Sequence, residues 1–163
     1  MRNEERYNLG KKIRREVVGG EYDDVIQDLE SDFSQPIRDW TTENVWGTVW
    51  ADETLSRKTR SMLNVALTTA LRCSHETKVH IRGAINNGCT KEEIRAVLMQ
   101  VAVYGGVLAV REAVRGANQV FAEEAKTKKK AARRREPICA VPGGMLLHLC
   151  SFQWGRSRPG LPR

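Results

Sequence analysis

Nowhere in its 163 residues does the chain hold 18 apolar residues in succession, so no segment is built to cross a membrane as a helix. The opening Met1-Arg2-Asn3-Glu4-Glu5-Arg6 is charged and lacks the apolar stretch of a secretory leader, which makes a cytoplasmic location the expectation. Cysteine is sparse. Cys73, Cys89, Cys139 and Cys150 stand 16, 50 and 11 positions apart, so no Cys-x-x-Cys pair suggests a zinc site or a dithiol centre, and free thiols are expected. A phosphate-cradling loop is missing too, because Gly105-Gly106 has neither a strand before it nor Lys-Ser/Thr after it. No stretch alternates with period two, so no strand is required.

Charge of one sign is scarce only locally. The formal net charge is +7, yet residues 1–125 carry 17 Lys+Arg against 19 Asp+Glu, while residues 126–163 carry 10 against 1. A core of net −2 thus bears a tail of net +9, and the basic total does not describe a nucleic-acid-binding core. The division predicts a helical domain over 1–125 and a basic, unstructured appendage over 126–163, for which solvated charge is favoured over a specific nucleic-acid partner.

What is abundant is Val, Leu, Ala and Met at three- and four-residue intervals, the signature of an all-α helical bundle. Gly19-Gly20 separates a helix around Leu9 to Val18 from a second segment over residues 22–33. After Pro36, the run Ile37 to Trp50 gathers Trp40, Val45, Trp46, Val49 and Trp50 with a helical component, and packing is favoured over ligand stacking as its role. Ser56 is a candidate N-cap for a helix apolar nearly all round, from Met62 to Leu71, which is expected to be deeply buried. A helix from Ser74 to Asn87 should stop at Gly88, and Thr90 to Glu93 has capping-box spacing ahead of Ile94, Val97, Leu98 and Val101. Beyond Gly105-Gly106 a last helix over Val107 to Ala125 should turn Val110, Ala113, Val114, Ala117, Val120 and Phe121 inward.

Reactive side chains concentrate in Cys73-Ser74-His75-Glu76-Thr77-Lys78-Val79-His80. On a helix Cys73, Glu76 and His80 share one face, whereas His75 points elsewhere. A carboxylate one turn from an imidazole can orient it and raise its pKa, as suits a proton donor near neutral pH. Spacing alone nevertheless favours an ordinary surface pair of Glu and His. Metal binding is a poorer reading, since His75, Glu76 and His80 do not match His-Glu-x-x-His. A lone Cys73 is more often a small buried hydrophobe than a nucleophile.

Several separated blocks carry a resemblance. Arg6-Tyr7-x-x-Gly10-x-x-x-Arg14-Arg15, Trp46-Gly47-x-x-Trp50, Leu55-x-Arg57-x-Thr59-Arg60-Ser61-Met62-Leu63, His80-x-Arg82-x-Ala84-x-Asn86-Asn87-Gly88-x-Thr90-x-Glu92-Glu93-Ile94 and Gln100-x-Ala102-x-Tyr104-x-Gly106-Val107 resemble, in order and spacing, the 4-carboxymuconolactone decarboxylase family. The likeness runs from residue 3 to residue 125. It implies an all-α fold shared with the alkyl hydroperoxide reductase D-type proteins, assembly as trimers or hexamers, and a decarboxylation without cofactor or metal in protocatechuate breakdown. In the redox branch, Cys-x-x-Cys-x-x-x-His ends at the histidine matching His80, which puts its cysteines on Cys73 and Glu76. The second thiol is therefore a carboxylate here, and dithiol exchange lacks its resolving group.

The resemblance further implies a small dicarboxylate lactone as substrate, His80 as catalytic proton donor, Glu76 as its orienting partner, and Arg57, Arg60 or Arg82 as carboxylate anchors. Arg72-Cys73-Ser74 and Leu108 to Arg115 depart from the familiar pattern, which keeps open a relative acting on another lactone or keto acid. A thiol-dependent reductase using Cys73 and a non-catalytic protein with a recruiting tail are the other readings.

Overall fold

Asn3 accepts a hydrogen bond from the Arg6 backbone N–H and so starts helix α1 (Glu4–Val18), whose first turn carries Glu4 and Glu5, the sign a helix N-terminus favours. The computed structural model describes residues 2–20, 23 and 31–135. Most of the helix expected over 22–33 lies outside them, as do residues 136–163 with Cys139, Cys150 and the apolar run 145–149. Gly19 ends α1 with φ 95°, a conformation glycine adopts without Cβ strain.

Helix α2 (Gln35–Thr41) begins with Pro36 in its first turn and passes directly into a π-helical segment, Thr42–Val49. The sequence indicates a helical component here but not the wider register, visible where Trp50 N–H reaches back five residues to the Val45 carbonyl. Trp46 and Trp50 are buried and stacked with centroids 5.0 Å apart. Trp40 and Val49 stay exposed. Two glycines set the crossing of this segment on α1: a Cβ on Gly10 would lie 2.0 Å from the Thr42 carbonyl oxygen, and one on Gly47 would lie 2.1 Å from that of Arg6. Only backbone fits there.

Ser56 caps α3 (Arg57–Ala70) by accepting from the Thr59 N–H at 3.1 Å. The expectation of burial all round fails: Ser61, Val65 and Thr69 are buried, while Leu63, Leu67 and Leu71 are exposed. One chain supplies neighbours to only one side of α3, so the leucine stripe is left without cover. Helix α4 (Ser74–Asn86) follows, closed as expected by Gly88 at φ 84°. Helix α5 (Lys91–Gly105) opens with the expected reciprocal cap between Thr90 and Glu93.

Helix α6 (Val107–Arg135) buries Val110, Ala113, Ala117 and Val120, but Val114 is exposed. It also runs unbroken through Lys126, so residues 126–135 are helix and not unstructured chain. Ala, Lys and Arg are strong helix formers, and cations suit a helix C-terminus, which explains why the helix continues although residues 126–134 are exposed.

The described residues hold six α-helices and no strand. Two cores result. Val65, Ile81, Ala84, Ile94, Leu98, Ala113, Ala117 and Val120 join α3, α4, α5 and α6. Ile13, Val17, Val18, Trp46 and Trp50 join α1 to the π-helical segment, with Val79 of α4 packed on them. Helix α4 belongs to both, and the site forms where its first turns meet the second core.

Candidate active site

A cavity of about 340 Å³ lies between α4 and the α1, α2 and π-helical layer. That volume suits a small metabolite. Arg14 and Val18 line it from α1, Arg38 and Thr41 from α2, Trp46 from the π-helical segment, and His75, Glu76, Val79 and His80 from α4.

Arg14 follows Gly10 by one helical turn and therefore faces the same close crossing. Its side chain is 8% exposed. Nε donates to Asp23 Oδ1, and Nη1 donates to Thr42 Oγ1 at 3.0 Å. Asp23 is itself buried, with Arg15 Nη1 3.9 Å from its second oxygen. Nη2 of Arg14 has no partner among the described residues.

His80 sits in the second turn of α4, and burial pushes its pKa below the usual 6.5 while the negative charge of Glu76 pulls the other way. Burial wins, where the sequence suggests that the carboxylate would raise it. A buried imidazole resting neutral, next to a carboxylate that stabilises its protonated form, can gain a proton and pass it on with little rearrangement. Among the described residues neither side chain is engaged in a hydrogen bond, which leaves both available to a ligand. Glu76 stands in the first turn of α4, where the helix dipole favours an anion.

The other expectations fare differently. Cys73 is the N-cap residue of α4, not part of its face, and its thiol approaches the Leu71 carbonyl at 3.7 Å without lining the cavity. His75 does line it, because it shares a stripe with Val79 four residues on, and the cavity spans both that stripe and the Glu76 and His80 stripe. Arg57, Arg60 and Arg82 do not line it. They pair with Glu16 at 2.7 Å, Asp52 at 2.7 Å and Glu123 respectively. Arg14, Arg38 and Trp46 occupy the wall instead; for Arg14, the four-residue step from Gly10 was the signal in the sequence.

The carboxymuconolactone decarboxylase family model matches residues 36–119, from α2 into α6, and includes Glu76 and His80. The chain is 35% identical over 123 residues to a 4-carboxymuconolactone decarboxylase of Acinetobacter baylyi, a match covering 74% of this chain and 90% of that one. The chain belongs to the carboxymuconolactone decarboxylase family.

A second relative within reach of this carboxymuconolactone decarboxylase family chain is a nitrosuccinic acid decarboxylase of Metarhizium robertsii, 39% identical over 108 residues, or 66% of this chain and 76% of the relative. An uncharacterised 15.0 kDa protein of Paracoccus denitrificans is 32% identical over 81 residues, 48% of this chain and 60% of that protein. Family membership thus accompanies more than one named acid.

Proposed function

We propose that the chain is a decarboxylase of small dicarboxylic acids whose departing carboxylate is conjugated to an electron sink, with 4-carboxymuconolactone as the leading substrate. The observation that carries this reading is the placement of His80, coupled to Glu76, in one cavity with the cationic Arg14 and Arg38. In the lactone, the C–C bond to the ring carboxylate breaks, CO2 leaves, and the electron pair passes through the ring double bond into the lactone carbonyl. The resulting dienolate takes a proton on its α carbon, giving 3-oxoadipate enol-lactone. In a nitro acid the pair would pass into the nitro group. The sink belongs to the substrate in both cases, so the protein need supply only charge, orientation and a proton.

His80 in its imidazolium form gives that proton, and solvent restores it. Glu76, which makes no hydrogen bond to the ring, favours its charged form through its own negative charge while the dienolate exists. Arg57, Arg60 and Arg82 are assigned to the ion pairs they make with Glu16, Asp52 and Glu123. Residues 1–125 are taken as the catalytic unit, with the remainder dispensable for turnover.

We also propose that copies of the chain assemble as a trimer or a dimer of trimers. Leu67, Leu71, Met99, Val103, Tyr104, Val107 and Leu108 are exposed on neighbouring helices, an apolar area that a solitary chain would leave in water.

Purified protein mixed with 4-carboxymuconolactone, and separately with nitrosuccinate, tests the reading through ultraviolet change and CO2 release. Turnover of the lactone supports the leading substrate; turnover of the nitro acid alone moves the assignment to that class. Failure with both at high enzyme concentration removes the proposal.

A further inference from the structure

We propose that Arg14 anchors the carboxylate the substrate keeps, leaving the departing carboxylate against the apolar wall of Val18, Trp46 and Val79 beside His80. This rests on the decarboxylase reading and adds the orientation of the substrate and a requirement for two acid groups.

Arg14 is a buried residue, 7% exposed, and a buried guanidinium is costly unless its donors are satisfied. Asp23 takes the Nε edge and Thr42 takes Nη1, and these two contacts fix the planar group without closing its terminal fork. Nη2 has no partner among the described residues, and Arg14 lines the cavity. A carboxylate arriving there would accept from the terminal nitrogens, the geometry for which Arg is suited and Lys is not. Asp23 is the counter-ion at the Nε edge of Arg14, and Arg38 adds a second cation on the same wall. Glu76 is the one carboxylate lining the cavity among the described residues, and it lies on the opposite wall, on α4.

Which acid group belongs at Arg14 follows from the chemistry. Loss of CO2 neutralises the departing carboxylate, so a cation bound to that group would stabilise the ground state more than the transition state and slow the reaction. Binding the retained carboxylate instead holds the molecule through both states and leaves the departing group in poorly polar surroundings, where its charge is least stabilised. Both named relatives act on acids that carry two carboxyl groups, as such an anchor requires.

The test is binding of butyrate, which presents one carboxylate and an apolar end, and of butyramide, its uncharged counterpart, to the full chain by calorimetry. The parent should prefer butyrate by about 10-fold or more. Arg14→Gln alone would take from the buried Asp23 the cation at its Oδ1, so the informative variant is Arg14→Gln with Asp23→Asn, which keeps a hydrogen-bonded pair without the charge. It should lose about 10- to 100-fold in butyrate affinity and with it the preference over butyramide. Arg14→Lys retains the charge opposite Asp23 and should fall between the two. Near-ultraviolet circular dichroism from the stacked Trp46 and Trp50 reports that each variant is folded. Unchanged butyrate affinity in a folded Arg14 variant overturns the proposal, as does a parent that binds butyrate and butyramide alike. Neither readout needs turnover, so a chain that fails both decarboxylase assays yet loses butyrate with Arg14 keeps the anchor and loses only the reaction.

Discussion

Gly10 and Gly47 meet backbone to backbone: a Cβ on Gly10 would lie 2.8 Å from the Gly47 amide nitrogen. Because the obstructing atoms are main chain, neither side can yield by changing a rotamer. Gly10→Ala and Gly47→Ala should each destabilise by about 1–3 kcal/mol or more, seen as a lower denaturation midpoint, and should displace the wall that carries Arg14 and Trp46. Parental stability in either variant would show that α1 can move away without cost.

Removing the proton donor should be felt in turnover. His80→Ala is expected to lower kcat by roughly 10²-fold or more on whichever acid proves to be the substrate. Glu76→Gln should cost less, since the amide keeps the shape and loses only the charge that favours imidazolium. A folded His80→Ala protein with near-parental kcat would leave another cavity group, such as His75, or a bound water as the proton source.

The depressed pKa of His80 has a stability consequence with a definite sign. Above the ordinary value of 6.5 both folded and unfolded chains hold the ring neutral, and the stabilising contribution is complete. As the pH falls below it the unfolded chain takes up the proton first, so stability declines until the folded ring also titrates, and then levels. Denaturant midpoints at about pH 8 and about pH 5 should differ less in His80→Gln than in the parent. Equal pH slopes in the two proteins would mean that burial does not hold this ring neutral.

Cys73 offers a contrast. At the N-cap of α4 and off the cavity wall, it should be replaceable: Cys73→Ser is expected to keep decarboxylation within a few-fold of the parent, and the hydroxyl, a better cap than a thiol, should not lower the melting temperature. Loss of activity in the folded variant, or a Cys73 disulfide accumulating during turnover, would restore the thiol-reductase reading.

Assembly is checked by light scattering, where an oligomer is expected at micromolar concentration. Leu71→Glu with Val103→Glu places charge at two residues exposed to 72% and 75%, and should shift the chain toward monomer while leaving its helix content unchanged. A parent that is already monomeric removes the proposal.

Sequence alone determined what depends on local chemistry. Caps and stops were legible because they join residues a few positions apart: Ser56 to Thr59, Thr90 to Glu93, and the glycine at 88 that tolerates positive φ. The all-α class and the pairing of Glu76 with His80 in one helix face follow from the same short-range periodicity. Tertiary structure decided what depends on which helix lies opposite. Arg57, Arg60 and Arg82 found acidic partners away from the cavity, while Arg14, 66 positions before His80, came to line the same cavity because two glycines let α1 press against the π-helical segment. Burial of His80, and with it the direction of its pKa, is likewise a property of the assembled cavity, since desolvation is set by everything packed around a ring and not by its neighbour one turn away.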